Sequence, residues 1–282
     1  MTAVTLNAYA KLNLTLDILK RLASGYHEIK TVYHQIQLHD TVTLRTLNEK
    51  SIIVKMNKKI PVKSNLAYKA AMLLKKRYNV QKGAEIAIEK NIPLAAGLSG
   101  GSTDAAAVLA GLNKVWNLKL GNHELMGLAK ELGMDVPFSL TGNTAIGSGR
   151  GEEVEKMRTN LKIPFLLINP GFEISTKEAY EALDQNELGK NHHAQKMIDA
   201  FRKGSMEEVA QCIGNDFEPW AMEKYPEIGK IKQELLKAGA LNAGMTGSGP
   251  TVFGIFETEE KAQHAHKLLK DKYPFVQVTR SR

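Results

Sequence analysis

Residues 93–116 read PLAAGLSGGSTDAAAVLAGLNKVW, a glycine-punctuated loop running straight into an alanine-rich apolar stretch. Glycine costs conformational entropy wherever it is ordered. Such a cluster therefore means that the backbone bends unusually or lets something approach closely. The stretch before it, AEIAIEKNIP (84–93), reads as a strand closed by proline, and the spacing after it predicts a helix from about 102 to 116. Strand, glycine loop and helix start together form a ready anion site, because first-turn N–H groups lack partners and the helix dipole favours negative charge. Ser102, Thr103 and Asp104 are expected to supply capping oxygens, and a hydroxyl there can also meet a phosphate or a bound cation. The same Gly-Gly-Ser also suits an ordinary capped turn, so both readings stand at this point. The Walker pattern and a G-x-G-x-x-G opening are absent, and no lysine follows the loop, so cationic help must come from elsewhere in the chain. A second cluster, GMTGSGPTVFG (244–254), precedes another β-branched run. Two glycine-hydroxyl loops in one chain favour a shared anionic ligand.

Around these loops the chain reads as α+β in two lobes. Residues 3–18, 29–38 and 41–46 alternate polar and apolar, as antiparallel strands around the turn ASGYH would. Leu66, Ala70, Leu73 and Leu74 recur at helical spacing within 65–79, behind a capping Asn65. A short helix over 122–132 ends at Gly133, and a hairpin turns at Gly149-Arg150-Gly151. After a buried strand at 163–171 the pattern becomes mostly helical, at about 175–184, 194–202, 205–213 and 226–238. A strand pair around 244–256, a helix at 258–271 and a last strand close the chain. With 282 residues, two domains are expected, 1–158 and 159–282.

The net charge of +8, from 38 basic and 30 acidic residues, suits nucleic acid, an anionic surface or a small polyphosphate. The densest basic run, VKMNKKIPVK (54–63), has no aromatic residue for base stacking and reads as a solvated hairpin. The N-terminus alternates rather than running apolar behind a basic start, and no stretch reaches the roughly 20 apolar residues of a membrane helix. A cytoplasmic protein with neither a membrane nor a nucleic-acid partner is expected. Cys212 is the one cysteine, so no disulfide closes within the chain, and it sits on an apolar helical stripe as a core residue. His192-His193 and the HAH at 264–266 have the wrong spacing for two ligands on one helix face, with no carboxylate or cysteine partner standing out nearby. No dedicated metal-ligand set is expected.

Three separated blocks read together: AYAKLNLTLDILKRLASGYHEIKTVYHQIQLHD (8–40), PLAAGLSGGSTDAAAVL (93–109) and MTGSGPTVFG (245–254). In order and content they resemble the three motifs of the GHMP small-molecule kinases. GYHEI following AKLNLTLDI, together with MDVPF at 134–138, resembles the branch acting on a cytidine diphosphate-linked methylerythritol. The likeness runs along nearly the whole chain and is weakest between about 185 and 225. It implies a two-domain GHMP kinase fold, with an N-terminal domain like domain 2 of ribosomal protein S5, a ferredoxin-like C-terminal domain and a cleft between them. It also implies ATP-dependent phosphorylation of the substrate's 2-hydroxyl, in the non-mevalonate isoprenoid route, by a monomer or weak homodimer.

The resemblance further implies roles for particular residues. Lys11 and Asp135 would meet at the reacting hydroxyl, where Asp135 orients it and takes its proton late while Lys11 steadies the charge. Asn13 would lie near the erythritol arm; Tyr26 and His27 would recognise cytosine, with Tyr180 as a second aromatic wall and Thr176 lining that side. Pro93, Gly97, Ser99, Gly100, Gly101, Ser102 and Thr103 would hold the ATP triphosphate, supported by Gly247 and Ser248. Mg2+ would accompany ATP, held mainly by phosphates and water. The chain departs from the family pattern at Tyr9, where proline is usual, and at Ser99, where glycine is usual. The departure at Ser99 could narrow the phosphate loop. Two other readings remain: a GHMP kinase for homoserine, mevalonate or a sugar, and a catalytically lapsed member that binds a ligand.

Overall fold

The computed structural model describes residues 3–58, 60–183 and 188–282. Two long strands open the chain, β1 (Ala3–Arg21) and β2 (His27–Leu47), joined by the turn at Gly25. β3 (Ile52–Met56), α1 (Leu66–Arg77), β4 (Gly83–Glu89) and α2 (Gly100–Val115) follow, then α3 (Asn122–Leu132), α4 (Val136–Thr141) and the hairpin β5 (Thr144–Ser148) and β6 (Glu153–Met157). The remainder is β7 (Pro164–Asn169), α5 (Thr176–Glu181), α6 (His193–Lys203), α7 (Met206–Gln211), β8 (Gly214–Asn215), α8 (Glu218–Lys224) and α9 (Pro226–Lys237). It closes with β9 (Asn242–Met245), β10 (Val252–Ile255), α10 (Glu259–Leu269) and β11 (Phe275–Arg280). The α+β reading holds. Two compact units emerge. One comprises Met1–Ala10, Leu38–Leu94 and Ser99–Thr141; the other comprises Lys11–Gln37, Ala95–Leu98 and Gly142–Arg282.

In the first unit β4 runs antiparallel to the distal part of β2, from Thr41 opposite Glu89 to Leu47 opposite Gly83, and parallel to β3. Val42, Leu44, Ile86 and Ile88 from these strands share one core with Ala67, Ala70 and Leu74 of α1 and Val108, Leu109 and Leu112 of α2. Each large apolar side chain so buried contributes about 1.5–3 kcal/mol. Small residues let α2 approach closely: a Cβ at Gly111 would lie 2.1 Å from Leu44 Cδ1. The basic run is therefore not a hairpin. Its first residues belong to β3, a parallel partner of β4, and Lys59 lies outside the described residues.

In the second unit the strand order is β11-β7-β10-β9, antiparallel throughout. Every residue of β7 is buried, as a central strand requires. Leu166, Ile168 and Val252 pack in one core with Ile228, Ile231 and Leu235 of α9 and Ala262, Ala265 and Leu269 of α10. The near part of β2 pairs with β5, which pairs with β6 around Gly149 and Gly151, both at positive φ. β1 pairs in parallel with β8 at Thr15 and Leu16. The helix expected at 175–184 ends at Glu181, and residue 184 lies outside the described residues. α4 and α8 were not legible as helices, and each carries a proline near its start. Proline is tolerated there, where its missing N–H is not needed. Among the described residues no helix is long and apolar enough to cross a membrane.

Candidate active site

α2 begins at Gly100, two residues earlier than its spacing predicts, and Ser99 is its N-cap. Ser99 is left-handed, at φ 57 and ψ 30, and its side chain makes no cap hydrogen bond. The first turn holds no acidic residue. The N–H groups of Gly100, Gly101 and Ser102 precede the first intrahelical bond, Thr103 N to Ser99 O at 2.9 Å, and they point out of the helix end. The expected capping role of Ser102, Thr103 and Asp104 is thus corrected: all three lie inside the helix. Thr103 Oγ1 donates to the Tyr9 carbonyl at 2.8 Å, and Asp104 faces a lysine instead.

That lysine is Lys90, at the end of the strand leading into the loop. Its side chain is 1% exposed, and its ammonium sits between Asp40 Oδ2 and Asp104 Oδ2, the latter at 2.7 Å. Asp40 Oδ1 also accepts the N–H groups of Asn91 and Ile92, at 2.6 and 2.8 Å. One ion cluster thereby ties the strand's end, just ahead of the half-buried Pro93, to the first turns of α2. A Cβ on Gly100 would come within 3.1 Å of Lys90 Nζ, so this glycine is where the helix start closes over the cluster. Burial pushes the Asp104 carboxyl up to about 7, with Lys90 pulling it down and Asp40 pushing it up. Its Oδ1 is buried without a hydrogen-bond partner. Two carboxylates beside one ammonium leave a net negative charge, which desolvation disfavours and a proton on Asp104 relieves.

Asp135 stands immediately before α4. Its carbonyl accepts both the N–H and the hydroxyl of Ser139, at 3.1 and 3.0 Å, and its Oδ2 accepts a hydrogen bond from Ser99 Oγ. The carboxylate is therefore tied, within the first unit, to the residue that caps the phosphate-type helix.

The second unit gathers the remaining residues. Lys11 and Asn13 are both buried on β1, and Lys11 Nζ donates to Asn13 Oδ1 at 2.5 Å while lying 5.7 Å from the Tyr33 ring centre. Asn13 Nδ2 donates to Thr31 Oγ1 and its backbone N–H to Thr246 Oγ1, at 2.8 and 2.9 Å. Gly97, at φ 73, packs on the second glycine loop: a Cβ there would lie 2.4 Å from the Thr246 carbonyl oxygen. Gly247, at φ 60, faces Gly97 and Asn13 in turn, and Thr176 and Ser248 share a hydrogen bond at 2.9 Å. Asn215 fastens this second loop by donating to the carbonyls of Met245 and Gly247, both at 2.8 Å, while buried Glu218 accepts the Met245 N–H.

Tyr26 is 56% exposed, with the Arg150 guanidinium over its ring at 5.1 Å. His27 is 8% exposed and lies flat on Tyr180, with ring centres 4.8 Å apart and 18° between planes, and Tyr180 in turn meets Phe217 edge-on. The His27 Nε2 is buried without a partner, and burial, with nearby Arg21, keeps the imidazole neutral by lowering its pKa.

Sequence reasoning missed Lys90, Asp40, Asn215, Glu218 and Arg150. Lys90, Asp40, Asn215 and Glu218 are singled out only by their burial against partners distant in sequence, and Arg150 only by its place over the Tyr26 ring. It also gave His193 no carboxylate neighbour, whereas the fold sets Asp17 and Asp216 beside it, with ligand atoms within 4.8 Å. Those oxygens are already occupied. Asp17 caps α6 by accepting the N–H groups of His193 and Ala194, and Asp216 accepts from Ile18 N and Asn191 Nδ2. Cys212 is the half-buried C-cap of α7 rather than a core residue within the helix, and burial pushes its thiol up, away from nucleophilic service.

Comparison with known proteins decides the family. The sequence profile for the GHMP kinases N terminal domain matches residues 65–143, and that for GHMP kinases C terminal matches 197–274. A 4-diphosphocytidyl-2-C-methyl-D-erythritol kinase of Caldicellulosiruptor saccharolyticus is 45% identical over 94% of this chain and 92% of its own. The chain belongs to the GHMP kinase family. A Clostridioides difficile kinase of the same name is 40% identical over 100% of this chain and 96% of its own. A crystal structure of 4-(cytidine 5'-diphospho)-2C-methyl-D-erythritol kinase superposes with a TM-score of 0.86 at 28% identity, covering 99% of this chain and 100% of that one. Homoserine kinase from Cytophaga hutchinsonii shares the GHMP kinase fold, at a TM-score of 0.76 and 17% identity, covering 100% of this chain and 95% of that one.

Proposed function

We propose that this GHMP kinase transfers the γ-phosphoryl group of ATP to the 2-hydroxyl of 4-diphosphocytidyl-2-C-methyl-D-erythritol, in the non-mevalonate route to isoprenoid precursors. The observation that carries the reading is the tie between Asp135 and the N-cap of α2, which sets a carboxylate beside a helix end built to receive phosphate. Identity of 40–45% along nearly the whole chain with kinases of that name supports the substrate. The unpaired, buried His27 Nε2 supports a base at that place, since a ligand hydrogen bond would relieve it.

In this reading the N–H groups of Gly100, Gly101 and Ser102 bind the triphosphate, and Pro93, Gly97, Ser99 and Thr103 shape the loop around it. Gly247 and Ser248 brace the loop. Asp135 orients the 2-hydroxyl and accepts its proton as the new O–P bond forms and the bond to the ADP oxygen breaks. Lys11, steered by Asn13, stabilises developing charge. Tyr26, His27, Thr176 and Tyr180 take the cytidine end. Mg2+ accompanies ATP, and when bound it neutralises charge on the β- and γ-phosphates. The carboxylates of the cluster with metal-type spacing, Asp17 and Asp216 beside His193, are spent on backbone N–H groups and the Asn191 amide, so phosphate oxygens, water and a loop hydroxyl such as Ser102 make the fitting donor set. Residues 1–158 and 159–282 form the two sequence domains, which contain the two family matches. The protein works in the cytoplasm as a monomer or weak homodimer, without a membrane or nucleic-acid partner.

The test is an ADP-release assay with ATP, Mg2+ and the cytidine-linked substrate, run beside Asp135→Ala. Substrate-dependent turnover that falls at least about a hundredfold in the variant is expected. Turnover of homoserine, mevalonate or a sugar instead would overturn the substrate, and ATP binding without any turnover would leave a ligand-binding protein on a kinase scaffold.

A further inference from the structure

We infer that Ser99 is a positioning residue for the phosphoryl acceptor's base: its hydroxyl, carried on the phosphate loop, sets the orientation of the Asp135 carboxylate. The inference rests on the kinase reading above and deepens it.

The backbone is the first clue. Ser99 occupies the left-handed region at φ 57 and ψ 30, a conformation that glycine adopts freely and that costs a residue with a Cβ about 1 kcal/mol or more. Neighbouring Gly100 and Gly101 show that this loop readily accepts glycine. Ala95 in the same loop is also left-handed, at φ 50, so the backbone alone assigns no role; what distinguishes Ser99 is the contact its side chain makes.

The contact is not the ordinary one. A serine at a helix N-cap usually adopts extended backbone angles and accepts a hydrogen bond from a first-turn N–H. Ser99 makes no such bond. Its left-handed backbone turns the hydroxyl away from the helix end, and the hydroxyl donates to Asp135 Oδ2. Two results follow from one conformation: the first-turn N–H groups are left to an anion, and the carboxylate is held by a charge-assisted hydrogen bond. The other end of Asp135 is already fixed, because its carbonyl accepts twice from Ser139. With the backbone anchored at the head of α4 and one carboxylate oxygen held by Ser99, the Asp135 side chain has little rotational freedom left. A general base needs this, since small misplacement of a reacting group lowers rate steeply.

The test separates the hydroxyl from the backbone. Ser99→Gly removes hydroxyl and strain, Ser99→Ala removes only the hydroxyl, and Ser99→Thr keeps the hydroxyl with a bulkier Cβ. The expected result is that kcat follows the hydroxyl while Tm follows the Cβ. Glycine and alanine variants both lose about tenfold in kcat, with KM for ATP changed less than about threefold. The glycine variant melts above the alanine variant, and threonine restores most of kcat while melting lowest. A merely structural role would make kcat track Tm across the series, and that outcome overturns the inference. So would a change confined to KM for ATP, which would make Ser99 a nucleotide contact alone. A urea-denaturation cycle over Ser99→Ala, Asp135→Ala and the double variant reads the contact without activity, and additive effects would also overturn it. Turnover only of a different acceptor would sink the proposed substrate while the same kcat pattern still judged Ser99. Failure with every acceptor would sink the kinase reading and Ser99's role together.

Discussion

Lys90→Met should be the most damaging single change in the first unit that leaves every proposed ligand contact intact. Methionine matches the length of the lysine stem, so the change removes charge without opening a cavity. What remains is a pair of carboxylates, Asp40 at 0% and Asp104 at 4% side-chain exposure, with no cation between them. Removing one partner of a buried ion pair costs about 3–5 kcal/mol, because the survivor stays buried and uncompensated. Against a total stability of about 5–15 kcal/mol that is a large fraction. The penalty should also depend on pH. Asp104, pushed up to about 7 chiefly by burial, holds a proton in the folded state that the unfolded chain has released above its ordinary value of 3.8. Its contribution therefore falls as pH rises from about 4 to about 7, then levels off. Without Lys90, the downward pull on that carboxyl is gone and its titration moves higher still. The penalty should therefore stay nearly constant from pH 5 to about pH 7, where both proteins lose stability alike, and grow above about pH 7 by up to about 1.4 kcal/mol per pH unit. Urea unfolding of wild type and Lys90→Met at pH 5, 6.5 and 8 reads this directly. A penalty below about 1 kcal/mol throughout, or one that shrinks as pH rises, would refute the argument that the cluster is a desolvated charge balance.

Two further outcomes are expected. Gly97→Ala places a Cβ at φ 73 against two backbone oxygens, Thr246 O at 2.4 Å and Gly249 O at 3.0 Å, neither of which can rotate away. ATP affinity should drop about tenfold or more, equivalent to ~1.4 kcal/mol, as calorimetric titration would register. His34 is fully buried between Thr144 Oγ1 and Ser281 Oγ, and burial, with Lys162 nearby, lowers its pKa to about 3. The unfolded chain then binds a proton below about 6.5 that the folded one refuses, so this group's contribution is present above that pH and erodes as pH falls toward 3. His34→Gln should flatten that part of the acid-denaturation curve, and an unchanged curve would count against it.

The loop and its helix were legible because local chemistry governs them: glycine permits the turn, and alanine-rich periodicity builds α2. The β5–β6 hairpin and the face of α9 could be read for the same reason. What escaped depends on residues distant in sequence. Ser99 and Asp135 are 36 apart, Lys90 and Asp40 are 50 apart, and neither pair leaves any periodic trace. β3 was hidden because a parallel partner lies beyond the reach of a turn, so its few alternating residues resembled surface lysine chemistry. α4, which Asp135 directly precedes, left no helical trace because Val136 comes before a proline, a position biased away from helix, yet the helix begins there with Pro137 in its first turn. The helix start at Gly100 shifted for a related reason. Hydroxyl and carboxylate residues suggested caps, but Thr103 and Asp104 were already claimed by Tyr9 and Lys90.

The two compact units each draw on three separate stretches of chain, so the polypeptide passes between them at 10/11, 37/38, 94/95, 98/99 and 141/142. A modular protein, in which each module is one continuous stretch, can be shuffled by a single recombination. This one cannot. Any single exchange point leaves at least one unit mosaic, with segments from both parents, so viable chimaeras should come from close relatives whose packing surfaces match, or from exchanges that replace interleaved segments together. The same interleaving bears on synthesis: the second unit has most of its residues after 141, so the stretch 11–37 must wait for the end of the chain before its own unit is complete.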